Sequence, residues 1–256
     1  MELYHHGVKG QKWGVRHGPP YPIEDRVLRA GTKLNSVAMS TSGNTSNMSP
    51  ENYRKKGTWM YTYNNDYDQK VYKGPFSKYL VMYRGAQYLD EHKYEVVKDL
   101  RMPTKEERVN EFVEIYNKNK KVVSKELADM RQMLILYKVG SEAEQKEFSN
   151  FNAKKFDIND KDQRRVAYAM FNHMMENVQR YKTTQLYKKN IEKKFDAMVD
   201  DNNQGVYNDA KDPIIVFRAE EVLRTIGSQP ITSDEIIKNT EEIREKLAKK
   251  GLNVKL

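Results

Sequence analysis

"DPIIVFRAEEV", Asp212 to Val222, decides how this chain is read. Ile214 to Phe217 follow one another with no polar residue between them, the pattern of a strand covered on both faces, so a central strand is predicted near the C-terminal end. "FDAMVDDNN", Phe195 to Asn203, supplies a shorter strand just before it, running into an acidic loop. Strand text otherwise lies at the far end of the chain. Val27, Leu28 and Leu34 in "RVLRAGTKL", the alternating "TWMYTYNND" from Thr58, and "KYEVVKDLRMP" stopping at Pro103 all carry it. A polar run, "STSGNTSNMSPEN", separates the first two as a loop, and Asp66 is expected to cap a short helix bearing Val71 and Tyr72.

The middle reads as helix. Thr104 followed by Glu107 is a capping-box signature, with Val109, Phe112, Val113 and Tyr116 on one face. A second helix is expected over Ser124 to Gly140 and a third opens at Ser141 with Glu144. The strongest pattern runs from Asp160 to Tyr181, through Val166, Met170, Met174 and Val178, and a shorter helix spans about Thr184 to Lys194. A last one, capped by Thr232 and Glu235, ends at Gly251. Strands, then helices, then strands predict an α+β domain over residues 26–231, its split sheet built from both ends of the chain. The helices of about 104–194 form an insertion, and 232–256 a C-terminal helix.

Bulk properties set the outer bounds. With 256 residues the chain has room for one main core. It carries 45 Lys and Arg against 36 Asp and Glu, a net charge of +9, so a polyanionic partner is one possibility and a solvated basic surface the other. There is no Cys, which excludes disulfides and thiolate chemistry. No apolar run reaches the ~18 residues of a membrane span and the N-terminus has no secretory signal, so synthesis in a bacterial cytoplasm and no membrane partner are expected. His5, His6 and His17 lack the carboxylate and spacing of a metal site, and no metal is expected. His92 and His173 stand alone, the latter reading as a packing residue at a helix rim.

Two short patterns, Ser40-Thr41-Ser42 and Glu142-Ala143-Glu144, match elements of Arg-specific ADP-ribosyltransferases. The first falls in a turn-forming loop and the second opens a helix, where acidic residues suit the dipole. A broader resemblance rests on order. "RVLRAGTKL" is similar to the first core strand of ADP-ribosyltransferase-like domains, and "GTWMYTYNNDYDQKVY" resembles their next signature, a strand ending in aromatics and then a helix bearing Tyr. "FDAMVDDNN" and "DPIIVFRAEEV" resemble the two closing strands.

That resemblance covers about half the chain and implies NAD as the cofactor if the domain is active. It places Arg29 and Thr32 at the dinucleotide and makes Tyr61, Tyr63 or Tyr72 the aromatic platform for nicotinamide. The transfer step builds positive charge on ribose and needs a carboxylate beside it. At the family's glutamate stands Pro213, with Asp212 one residue early and therefore on the opposite strand face. The reading that follows is a non-catalytic domain; the alternative is an active transferase using Arg29 and Asp212 on a host protein.

Residues Met1 to Asp25 hold four Gly and three Pro and read as an extended arm. "HHGVKGQKWGVR", His5 to Arg16, resembles an element recurring in head, protease and morphogenesis proteins of bacteriophages and prophages of Gram-positive bacteria. It implies a virion protein, capsid-associated or packaged. Val8, Trp13 and Val15 would anchor such an arm on a phage head protein, with Lys9, Lys12 and Arg16 supplying charge. A weak, salt-sensitive contact with DNA, Trp13 stacking on a base, is the alternative.

Overall fold

The computed structural model describes residues 26–43, 45, 49, 59–139, 142–175, 180–200 and 213–249. The arm and Asp212 lie outside them. The α+β class expected from the order of elements is observed. The chain divides into two compact units, with boundaries at Met102/Pro103 and Phe195/Asp196.

The first unit is built from strands of both chain ends. A three-stranded antiparallel sheet sets β4 (Tyr88–Val96) between β2 (Lys33–Ser40) and β8 (Leu223–Pro230). Val37, Glu91 and Gln229 lie abreast on one face, and Ser36, His92 and Ser228 on the other. A second sheet sets β7 (Ile214–Val216) between β3 (Met60–Thr62) and β6 (Ala197–Val199). Asn35 and Tyr63 exchange two backbone hydrogen bonds of 2.8 Å, which tie β2 to the end of β3. A short pair joins β1 (Val27–Leu28) to β5 (Leu100–Arg101).

The apolar run that opened the sequence reading is central in the second sheet, and all three of its strand residues are buried. Leu28 and Leu34 from the front of the chain share one core with Ile214, Val216 and Val222 from the back. Each such side chain contributes roughly 1.5–3 kcal/mol by leaving water, which is why the two ends of the chain hold together across everything between them.

Around the first sheet pack α1 (Asp66–Val71), a π-helical turn (Tyr72–Phe76), α2 (Ser77–Arg84) and α8 (Ser233–Ala248), while a single turn, α7 (Ala219–Val222), leads from β7 into β8. The cap of α1 is Asn65, not Asp66: its Oδ1 accepts from the Asp68 amide at 2.8 Å. Tyr72 belongs to the π turn, which Gly74 and Pro75 shape. Gly74 meets α8 so closely that a Cβ there would stand 2.8 Å from the Asn239 backbone. Thr232 caps α8, as expected, through Glu235.

The second unit is helical: α3 (Lys105–Leu136), α4 (Glu142–Asn150), α5 (Lys161–His173) and α6 (Lys182–Lys194). Thr104 and Glu107 form the full reciprocal capping box, with bonds of 2.7 and 3.0 Å. The two helices expected beyond them are one 32-residue element bent at Asn119, whose φ of −135° leaves the helical region. The Asn119 side chain donates back to the Ile115 carbonyl, as a local competitor of the helix ladder does. The long pattern expected to reach Tyr181 stops at His173, and Tyr181 stands at the N-cap position of the next helix without a capping side-chain bond.

Candidate functional site

Among the described residues, the most concentrated chemistry of the first unit surrounds Glu91, a fully buried carboxylate in the middle of β4. One oxygen accepts from the Tyr63 hydroxyl at 2.9 Å and the Gln69 amide at 3.3 Å. The other accepts from the Lys73 ammonium at 3.1 Å and the Gln229 amide at 2.7 Å. The donors come from the end of β3, from α1, from the π turn and from β8, so Glu91 ties four elements to the central strand. Lys73, itself buried, reaches Glu235 of α8 at 2.7 Å, and Lys93 donates to the far side of the Gln229 amide at 3.0 Å.

The electrostatics are those of a closed cluster. Burial holds the Tyr63 phenol well above its ordinary range, and the Glu91 charge adds to this, so Tyr63 stays a hydrogen donor. For Lys73, burial is the largest single influence and acts downward, but the bonds and charges of Glu235 and Glu91 together outweigh it and the ammonium is raised. A charge buried without partners would be costly; here every lone-pair direction of the carboxylate has a donor.

On the opposite face His92 is buried and lies parallel to Tyr94, ring centres 6.3 Å apart. Thr45 donates to Asp90 and stands 3.2 Å from His92 Nε2. Burial pushes the imidazole pKa down, against a smaller upward pull from Asp90.

The residues expected to serve NAD are distributed differently from the resemblance. Tyr63 and Tyr72 do meet, but their rings stack on each other with centres 4.7 Å apart, and both are buried. Their faces lie against one another and the core. Tyr61 is half-buried on β3, opposite Ile215. Arg29 sits on the exposed turn after β1 and donates to Asp99 at 2.7 Å, while Asp99 also accepts from the Ala30 amide at 2.9 Å. The Ala30 bond and then the Arg29 side chain hold the Asp99 carboxyl below its ordinary range. The Thr32 carbonyl accepts from the Val96 amide at 2.9 Å, five strand positions or about 16 Å along the sheet from Glu91, so Arg29 and Thr32 are not gathered with the buried tyrosines. Asp212 and the arm residues Val8, Lys9, Lys12, Trp13, Val15 and Arg16 lie outside the described residues.

Ser40-Thr41-Ser42 forms the end of β2 and a turn, the Ser42 amide donating to Ser40 Oγ at 3.1 Å. Glu142 and Glu144 occupy the first turn of α4. His173 packs edge-on against Phe148 and lies 3.3 Å from Glu144. No three His, Asp or Glu side chains among the described residues gather as a metal site requires.

Sequence reasoning missed Glu91, Lys73 and Gln229. A signal was present: Glu91 shares strand phase with Leu89 in "YLDEHKYEV", and Lys73 stands between apolar neighbours in "KVYKGPF", an acid and a base each at an inward position. Compared with protein-family models, curated proteins and solved structures, the chain matches none of them.

Proposed function

We propose that this chain is a virion-associated protein of a tailed phage or prophage, a minor head component or packaged cargo. Its first unit is a binding domain related to the ADP-ribosyltransferase fold that has given up transfer chemistry, and the segment His5–Arg16 docks it to a head protein. The meeting of both chain ends in one core supports the fold relationship, since that fold requires such a split sheet. The observation that carries the non-catalytic reading is the state of the tyrosines. Tyr63 and Tyr72 occupy each other's faces, and the adjacent carboxylate, Glu91, is saturated by four donors, one of them a lysine ammonium. Such a carboxylate has little negative potential left for a developing ribosyl cation.

Calorimetric titration of the full chain with NAD at millimolar concentration is expected to show no binding, and incubation with labelled NAD and host lysate no transfer. Transfer abolished by Arg29→Ala would reverse the conclusion in favour of the enzyme. The virion assignment has its own test: the chain should be found by mass spectrometry in gradient-purified particles and be lost from them in a Trp13→Ala, Val15→Ala variant. Absence of the unaltered chain from particles would sink it.

A further inference from the structure

We propose that the exposed face of α2, continued by Tyr88, is a docking surface for a protein partner that presents carboxylates around an apolar centre. This surface is separate from the arm and does not depend on the reading given above. α2 buries Ser77 and Leu80 and turns most of its remaining length outward. Val81, Met82, Tyr83 and Tyr88 are 45, 60, 71 and 50 % exposed, with Tyr79 beside them at 39 %. Tyr79 and Tyr83, one helical turn apart, hold each other with ring centres 5.4 Å apart. Gly85, at a φ of +66°, stops the helix in the left-handed conformation and lets the chain turn into β4, which brings Tyr88 to the end of this segment. Single exposed apolar residues are ordinary on a protein surface, but five within ten positions are not. Their types, Tyr and Met with an Arg at the margin, are those enriched at the centres of protein interfaces.

Charge identifies the occupant. From Gln69 to Leu89 there is no Asp or Glu, while Lys70, Lys73, Lys78 and Arg84 fall in that span. Lys70 and Lys73 are held by Glu242 and Glu235 of α8, whereas Arg84 is exposed and has no ion pair among the described residues. The unpaired charge that this span itself brings to the patch is therefore the Arg84 cation. The chain's own N-terminal segment, with Lys9, Lys12 and Arg16, would bring like charge to it, and so would a second copy of the same face. A nucleic acid would satisfy the charge but would leave most of the apolar surface of Val81 and Met82 unused, since aliphatic groups are not the aromatic platforms on which bases stack. An acidic partner with an apolar centre uses both properties.

The test uses two synthetic amphipathic helical peptides that share a Leu stripe, one flanked by Glu and the other by Lys, titrated into the full isotope-labelled chain. The Glu-flanked peptide is expected to shift the methyl resonances of Val81 and Met82, and its affinity to fall about tenfold in both Met82→Glu and Arg84→Glu, with circular dichroism unchanged. Equal binding of the Lys-flanked peptide, or no shift at Val81 and Met82 with either, overturns the proposal. It is also overturned if oligothymidine or phosphatidylglycerol vesicles move those resonances in place of the peptide, or if sedimentation reveals a dimer that Met82→Glu dissociates.

Discussion

Replacing Glu91 by Gln tests the argument about the buried cluster most directly. The carboxylate accepts four hydrogen bonds, one of them from a buried ammonium. A Gln carbonyl has two lone pairs, and its amide nitrogen would point hydrogens at the two remaining donors. Two donors are thus stranded, each at about 1–3 kcal/mol, and Lys73 is left with Glu235 as its counter-charge. The expected loss is about 3–5 kcal/mol, the range for breaking a buried ion pair from one side. Urea unfolding followed by Trp59 fluorescence reports on this unit, because Trp59 is buried against Phe217 with ring centres 4.8 Å apart. A Trp13→Phe background removes the other tryptophan, and the unit's own transition, not a global midpoint, is the quantity to compare. Adding Lys73→Met to Glu91→Gln removes the stranded charge, so the double variant should be less destabilised than the sum of the singles. A Glu91→Gln loss below about 1 kcal/mol, or strict additivity, would refute the reasoning.

Two further outcomes are expected. Gly74→Ala should destabilise the first unit by about 1–3 kcal/mol in the same urea titration, because the new Cβ would stand 2.8 Å from the Asn239 backbone and cannot be relieved by a side-chain rotation; an unchanged midpoint would mean that α8 shifts at no cost. Since burial lowers the folded pKa of His92, the unfolded chain takes up a proton before the folded one as pH falls below about 6.5, and stability should drop through that window and be fully restored above it. His92→Gln, which cannot ionise, should show a shallower drop between pH 7.5 and pH 5.5, and identical slopes would count against the assignment.

Where a signal was local, the chain could be read directly. The Thr104–Glu107 box and the Thr232 cap need only residues three apart, and the apolar stretch Ile214–Val216 announces its burial by composition. What stayed hidden depends on residues far away in sequence. The start of α6 is set by the Glu126 carboxylate, which accepts from the Lys182 and Thr183 amides at 2.8 and 2.9 Å. Nothing beside Tyr181 foretells that. β8 is an edge strand with one buried side chain out of eight, ending at Pro230, so it has no apolar rhythm to recognise. The buried cluster was hidden for the same reason. The positions matched to NAD chemistry were chosen by neighbourhood in the chain, whereas the cluster that formed is made of Tyr63, Lys73, Glu91, Gln229 and Glu235, gathered only once the sheet closes.

The clasp between Arg101 and Asp196 carries a consequence for how such a molecule is assembled and revised. Asp196 donates its amide to the Arg101 carbonyl at 2.9 Å and returns a carboxylate oxygen to the Arg101 amide at 3.2 Å, so the helical excursion departs and returns at a single latch. An excursion with touching feet imposes no stretch on its host. Genetic exchange could lengthen, trim or swap that helical segment while the host's hydrogen-bond register stays as it is, and a helical segment that folds early would present its two feet side by side, shortening the search by which distant strands find one another.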